Sequence, residues 1–238
     1  MTPAAASTEV IAMHGWAGDS RAWAPWATLA AQRGWRFRSG ERGYGQLPPA
    51  QHHWTPGSTH RIVIAHSLGL HLLAEATWRE ATAAVLLTSF AAFVPPGREG
   101  RGVAAGLRGM AAQLDAGEAA TAAMLRQFFT KVADPCPPSL LPEGPLEQGI
   151  PALGRQRLLE DLALLGRSAG LPAGFPSSIP VLVVEAHDDQ IVHAQSRALL
   201  RQALPGATLW SLQRAGHGLL AAEGLLTGVL EWMADGSQ

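Results

Sequence analysis

Residues Arg61–Gly69 read Arg-Ile-Val-Ile-Ala-His-Ser-Leu-Gly, and a helix-like run, Leu68–Glu80, follows at once. Ile62 to Ala65 is apolar without interruption and rich in β-branched side chains, the pattern of a strand buried on both faces. A strand that passes directly into a helix must turn sharply, and Ser67 occupies that turn. Small residues are needed on either side of it, where the backbone is crowded. Gly69 meets the need two residues after the serine. Ala65, two before it, is one methyl larger than glycine. A serine held this way projects its hydroxyl out of the strand's carboxyl end, the display that nucleophilic catalysis requires.

Working outward, strand and helix patterns alternate. Glu9–Met13, Trp35–Arg38, Arg61–His66, Ala84–Thr88, Ile179–Glu185 and Ala207–Leu212 have strand length and apolar character. Arg21–Arg33, Leu68–Glu80 and Leu219–Ala234 read as helices. This order predicts an α/β fold with a mostly parallel central sheet flanked by helices. The texture changes after Val94, where Pro95-Pro96-Gly97 breaks the chain. Helix-like stretches near Val103–Lys131 and Leu153–Ala169 follow, parted by the proline-rich loop Pro135–Pro151. We therefore expect a core formed by residues 1–94 and 176–238, with 95–175 inserted as a helical cap over the sheet's active edge.

Three more motifs stand at strand ends. His14-Gly15-Trp16 follows the first strand. Gly15 permits close approach to the serine, and the N–H groups of Trp16 and Leu68 are the expected donors to an oxyanion. His14 reads as a loop-ordering residue, not a base. Asp188 and Asp189 follow the strand Ile179–Glu185. Asp189, ahead of Ile191-Val192, is favoured as the carboxylate that orients a histidine, with Asp188 a solvated turn residue. Gly216-His217-Gly218 follows the last strand, and a histidine between glycines on a loop is poorly explained as core. Ser67, Asp189 and His217 occur in that order, 122 and 28 residues apart. The carboxyl edge of a parallel sheet would gather all of them. The expected chemistry has Ser67 attacking, His217 taking its proton, and Asp189 holding the imidazole tautomer.

Composition narrows the alternatives. The 238 residues suit one domain with an insertion, and 47% hydrophobic with 16% charged residues is globular. A net charge of -1 provides no basic field for nucleic acid or an anionic membrane. Met1–Thr8 lacks the pattern of a signal peptide, and the apolar stretch Ala83–Val94 is too short to span a bilayer. With Cys136 the single cysteine, the expectation is a cytoplasmic protein without disulfides. His52, His53 and His60 surround Trp54 with no carboxylate or cysteine spacing to suggest a metal, and no cofactor motif is evident. Gly43-Tyr44-Gly45 reads as a turn. His66, His71, His187 and His193 read as packing, rim or spectator residues. A carboxylate nucleophile, as haloalkane or epoxide chemistry would want, is absent at position 67.

These motifs resemble the α/β-hydrolase superfamily across nearly the whole chain. Within it, His14-Gly15-Trp16, Ser67-Leu68-Gly69 and the Asp189 to His217 spacing are most similar to the pimeloyl-[acyl-carrier protein] methyl ester esterases of biotin synthesis. That resemblance implies a small acyl ester substrate carried on acyl carrier protein, docked by basic cap residues. Arg98, Arg101 and Arg108 are the best cluster for that role, although 95–175 holds as many acidic as basic residues. A general short-chain carboxylesterase or thioesterase is the alternative reading. A non-catalytic ligand receptor on the same fold is the third.

Overall fold

The computed structural model describes residues 7–219, 222 and 224–235. In chain order the elements are β1 (Thr8–Met13), α1 (Ala24–Gln32), β2 (Arg36–Ser39), β3 (His60–His66), α2 (Gly69–Leu72), α3 (Glu75–Arg79) and β4 (Ala83–Leu87). Then come α4 (Arg98–Asp115), α5 (Glu118–Ala133), α6 (Ala152–Arg167), β5 (Val181–Ala186), α7 (Ala194–Ala203), β6 (Thr208–Leu212) and α8 (Leu225–Asp235). The strands form one sheet in the order β2-β1-β3-β4-β5-β6. Every pairing is parallel, so the sheet is more uniform than expected.

Alternation along the strands builds two cores. Val10, Ala12, Ile62, Ile64, Val85 and Val184 face one side, packed with Trp23, Trp26 and α8 residues such as Val229. Ile11, Met13, Val63, Ala65 and Leu86 face the other, with Leu70, Trp78 and Leu200. Burying each valine, leucine, isoleucine or methionine among them contributes about 1.5–3 kcal/mol. The methyl of Ala65 lies within this second cluster, which accommodates it. From β1 the chain moves to β2 on one side, and then β3 pairs on the other. Outside the carboxyl ends of β1 and β3 this reversal opens a crevice.

Three helical expectations are corrected. Leu68–Glu80 is not one helix: Leu73 and Ala74 are extended, with ψ of 144° and 146°. The indole of Trp78 donates to Leu70 O at 3.2 Å, taking an acceptor that a continuing helix would use. Val103–Lys131 is two helices, α4 and α5, divided at Gly117 with φ of 107°. The last helix starts at Leu225, not Leu219. Of that expected stretch, residues 220, 221 and 223 lie outside the described residues, as do residues 1–6 of Met1–Thr8. Among the described residues, no helix is long and apolar enough to cross a membrane.

Candidate active site

Ser67 directly follows β3 and has φ of 53°, a left-handed conformation rare for a residue with a Cβ. Gly69 makes the turn possible: a Cβ there would lie 2.4 Å from Met13 O. Gly15 does the same from the facing loop, since its Cβ would fall 2.9 Å from Ser67 Cβ. The sequence pattern small-x-Ser-x-small thus records how tightly β1, β3 and α2 converge.

The Ser67 hydroxyl donates to His217 Nε2 at 2.9 Å. His217 Nδ1–H donates to Asp189 Oδ2, also at 2.9 Å. Asp189 Oδ1 accepts the N–H groups of Ile191 at 2.7 Å and Val192 at 3.0 Å. Burial alone would raise the Asp189 carboxyl, but His217 and these two N–H donors outweigh it and hold the group below its ordinary value. Asp188 instead pairs with His187 at the surface. The three side chains far apart in sequence therefore meet in one hydrogen-bonded series.

The loop that carries His217 is pressed against the C-terminal end of α5. Gly218 N–H donates to Val132 O at 2.9 Å. A Cβ on Gly216 would lie 2.0 Å from Asp134 O. Gln190, next to Asp189, donates to the Asp134 carboxylate. The flanking glycines are thus explained by close packing. The His217 carbonyl is held by His66 Nε2–H at 3.0 Å and by the Thr88 hydroxyl at 3.2 Å. Desolvation, reinforced by the neighbouring His217, pushes His66 down to about 3, so its imidazole stays neutral.

Opposite Ser67, Gly15–Gly18 forms a turn closed by Gly18 N–H to Gly15 O at 3.2 Å, with Ala17 at φ of 60°. Among the described residues, neither the Trp16 N–H nor the Leu68 N–H donates to a protein acceptor. Two free backbone donors beside a serine hydroxyl are the equipment needed to hold an oxyanion. His14 is buried and bonded at both nitrogens within its own loops, so it is not offered to the cavity as a base.

Ser67, His217 and Trp16 line a cavity of about 510 Å³. Its walls are largely apolar, drawn from α4 (Val103, Leu107), α5 (Met124, Phe128) and α6 (Leu162, Leu165). Arg98, Arg101 and Arg108 lie on α4 at a spacing that shares one face, and all three are exposed. Among the described residues none of the three has an ion-pair partner. His52 donates to Ser39 O at 3.1 Å. No group of three or more His, Cys, Asp or Glu residues is arranged to hold a metal ion among the described residues.

One set of residues was not singled out in the sequence. Asp161 of α6 is buried and accepts from Tyr44 Oη at 2.6 Å and from Arg42 Nε at 2.7 Å. A signal existed: Asp161 falls three residues after Leu158 and four before Leu165, on the apolar stripe of its helix.

No family model matches the chain, and no curated protein matches it in sequence. Solved structures do match its fold. A bromoperoxidase from Bacillus anthracis aligns over 96% of this chain and 92% of its own, with TM-score 0.73 and 15% identity. A thermophilic esterase from Thermogutta terrifontis aligns over 98% and 92%, with TM-score 0.68 and 16% identity. MenH from S. aureus aligns over 99% and 97%, with TM-score 0.62 and 12% identity. At such identities the likeness is one of architecture, and the chain has the α/β-hydrolase fold.

Proposed function

We propose that this protein is a serine carboxylesterase in which Ser67 is the nucleophile, His217 the general base and Asp189 the group that orients it. The observation that carries the proposal is the series Ser67–His217–Asp189, bonded at 2.9 Å in each link at the floor of an apolar cavity. His217 Nε2 takes the hydroxyl proton as Ser67 Oγ attacks the ester carbonyl. The N–H groups of Trp16 and Leu68 stabilise the oxyanion. The intermediate collapses, the alcohol leaves with the proton from His217, and an acyl-enzyme remains. Water then attacks, again giving its proton to His217, and releases the acid and the free serine. The paired Asp189 and His217 suit this cycle because the carboxylate stabilises the imidazolium formed in each half.

For the substrate, we propose the methyl ester of pimeloyl-[acyl-carrier protein]. The apolar walls suit an extended acyl chain, and helices α4–α6 act as a cap above Ser67. The unpaired Arg98, Arg101 and Arg108 on α4 suit an acidic carrier. The resemblance of the motifs to the biotin-synthesis esterases supports the same choice.

The test is complementation of a biotin-requiring strain that lacks its own esterase. Growth is expected with the wild type and not with Ser67→Ala. Without rescue, rapid hydrolysis of p-nitrophenyl esters would leave the esterase and remove the carrier substrate. Full activity in Ser67→Ala would remove the mechanism.

A further inference from the structure

A peptide unit is planar, so fixing its carbonyl also fixes the N–H on the other side of the bond. Gly15 O and the Trp16 N–H belong to one such unit. His14 Nδ1–H donates to Gly15 O at 2.8 Å. The other ring nitrogen, Nε2, accepts the backbone N–H of Arg42 at 3.1 Å. Because a backbone N–H can only donate, this contact selects the tautomer that carries its proton on Nδ1. Glu41 Oε1 lies 3.5 Å from Nε2, longer than a normal hydrogen bond.

Arg42 is held in turn. Its Nε donates to Asp161 Oδ2 at 2.7 Å and its Nη2 to Asp161 Oδ1 at 3.0 Å, a two-point grip that fixes orientation as well as position. Asp161 sits on α6, next to Leu162 of the cavity wall. The same helix takes a second hold on the loop, since the Trp16 indole donates to Leu158 O at 3.0 Å. Packing closes the arrangement: a Cβ on Gly154 of α6 would lie 1.9 Å from Tyr44 O.

We propose that Asp161 is a positioning residue which, through Arg42 and His14, makes helix α6 hold the Gly15–Trp16 peptide in the orientation that an oxyanion needs. The proposal rests on the reading of Ser67 as nucleophile and of the Trp16 N–H as an oxyanion donor. It makes α6 part of the transition-state machinery, distinct from its role as a wall of the acyl cavity. A donor turned away from the oxyanion affects the transition state and leaves ground-state binding unchanged, so the loss should fall on kcat.

The experiment is a double-mutant cycle on p-nitrophenyl butyrate hydrolysis with Asp161→Asn and His14→Asn. Asparagine at position 14 can still donate to Gly15 O but is too short to reach Arg42. In the wild-type background Asp161→Asn should lower kcat about ten- to a hundredfold, with KM changed less than about twofold. In the His14→Asn background the link is already cut, and Asp161→Asn should change kcat by less than about twofold. Additive losses, or a loss confined to KM, would overturn the proposal. Should His14→Asn fail to fold, Arg42→Gln breaks the same series and must reproduce the kcat loss of Asp161→Asn. Tyr44→Phe removes a bond to Asp161 outside the series and should lower the thermal midpoint with kcat held within about twofold. A matching kcat loss in Tyr44→Phe would show general loosening of α6 and also overturn it. Labelling of wild-type Ser67 by a fluorophosphonate separates the two failures. An unlabelled Ser67 ends both readings, whereas labelling with additive losses ends this one alone.

Discussion

Gly216→Ala is the sharpest test of how the His217 loop is held. A Cβ at position 216 would stand 2.0 Å from Asp134 O and 2.9 Å from Asp134 C. Both are backbone atoms and cannot rotate aside. Restoring even the shortest contact a Cβ tolerates, 3.0 Å, requires a relative displacement of about 1 Å between the loop and the end of α5. His217 is the next residue, and both of its ring bonds are 2.9 Å long. Misplacement of about 1 Å at a reacting group costs on the order of a hundredfold in rate. Gly218→Ala is the control on the other flank. Its Cβ would meet Leu141 Cδ2 at 2.3 Å, the movable tip of a side chain, and otherwise nothing closer than 3.2 Å. We expect kcat on a p-nitrophenyl ester to fall about a hundredfold in Gly216→Ala and less than about tenfold in Gly218→Ala, with both proteins folded by circular dichroism. Equal losses, or a larger loss at 218, would refute the argument that close packing on α5 sets the imidazole.

Asp189→Asn should lower kcat about 10⁴-fold in a protein that remains folded by circular dichroism, because the amide favours the wrong imidazole tautomer; a loss under tenfold would deny Asp189 its role. His66 has its folded-state value depressed to about 3 from 6.5, so it contributes stability above pH 6.5 that is lost as pH falls toward 3. Its ring resonances should stay at neutral-form positions from pH 8 to 4 by NMR, and a midpoint near 6.5 would contradict the half-buried, His217-facing environment. Gly109 lies inside α4, outside the cavity lining, with nothing within 4 Å of a built Cβ. Gly109→Ala should therefore stabilise the protein by about 0.5–1 kcal/mol, and a lower thermal midpoint would show an unseen constraint there.

Much of the fold was legible because its signals are local. Ile62–Ala65 can be little other than a buried strand, and the shift from Ser67 to Gly69 marks its turn into a helix. The strand ends were likewise readable from where apolar runs stop. What local pattern did not reveal was competition for backbone acceptors. Nothing between Leu68 and Glu80 forbids a continuous helix, but Trp78 reaches back to Leu70 O and ends the first turn of it. The division of α4 from α5 was marked by Gly117, whose φ of 107° a helix interior does not allow, yet one glycine among several carried no distinguishing sign.

The site shows the same boundary between local and long-range information. Ser67, Asp189 and His217 could be named because each stands at a strand end, where the sheet itself gathers residues. Asp161 and Arg42 are 119 residues apart, and although Arg42 follows the end of β2, Asp161 lies inside α6, away from any strand end. Their pairing depends on how α6 lies across the loop after β2, which no periodicity encodes. The trace that remains is thermodynamic. A carboxylate on the apolar stripe of a helix must be paired once buried, or its desolvation would oppose folding by several kcal/mol. Asp161 on the leucine face of α6 was therefore a demand for a cationic or hydroxyl partner elsewhere in the chain. Arg42 and Tyr44 answer that demand together, and in doing so they join α6 to the loop after β2.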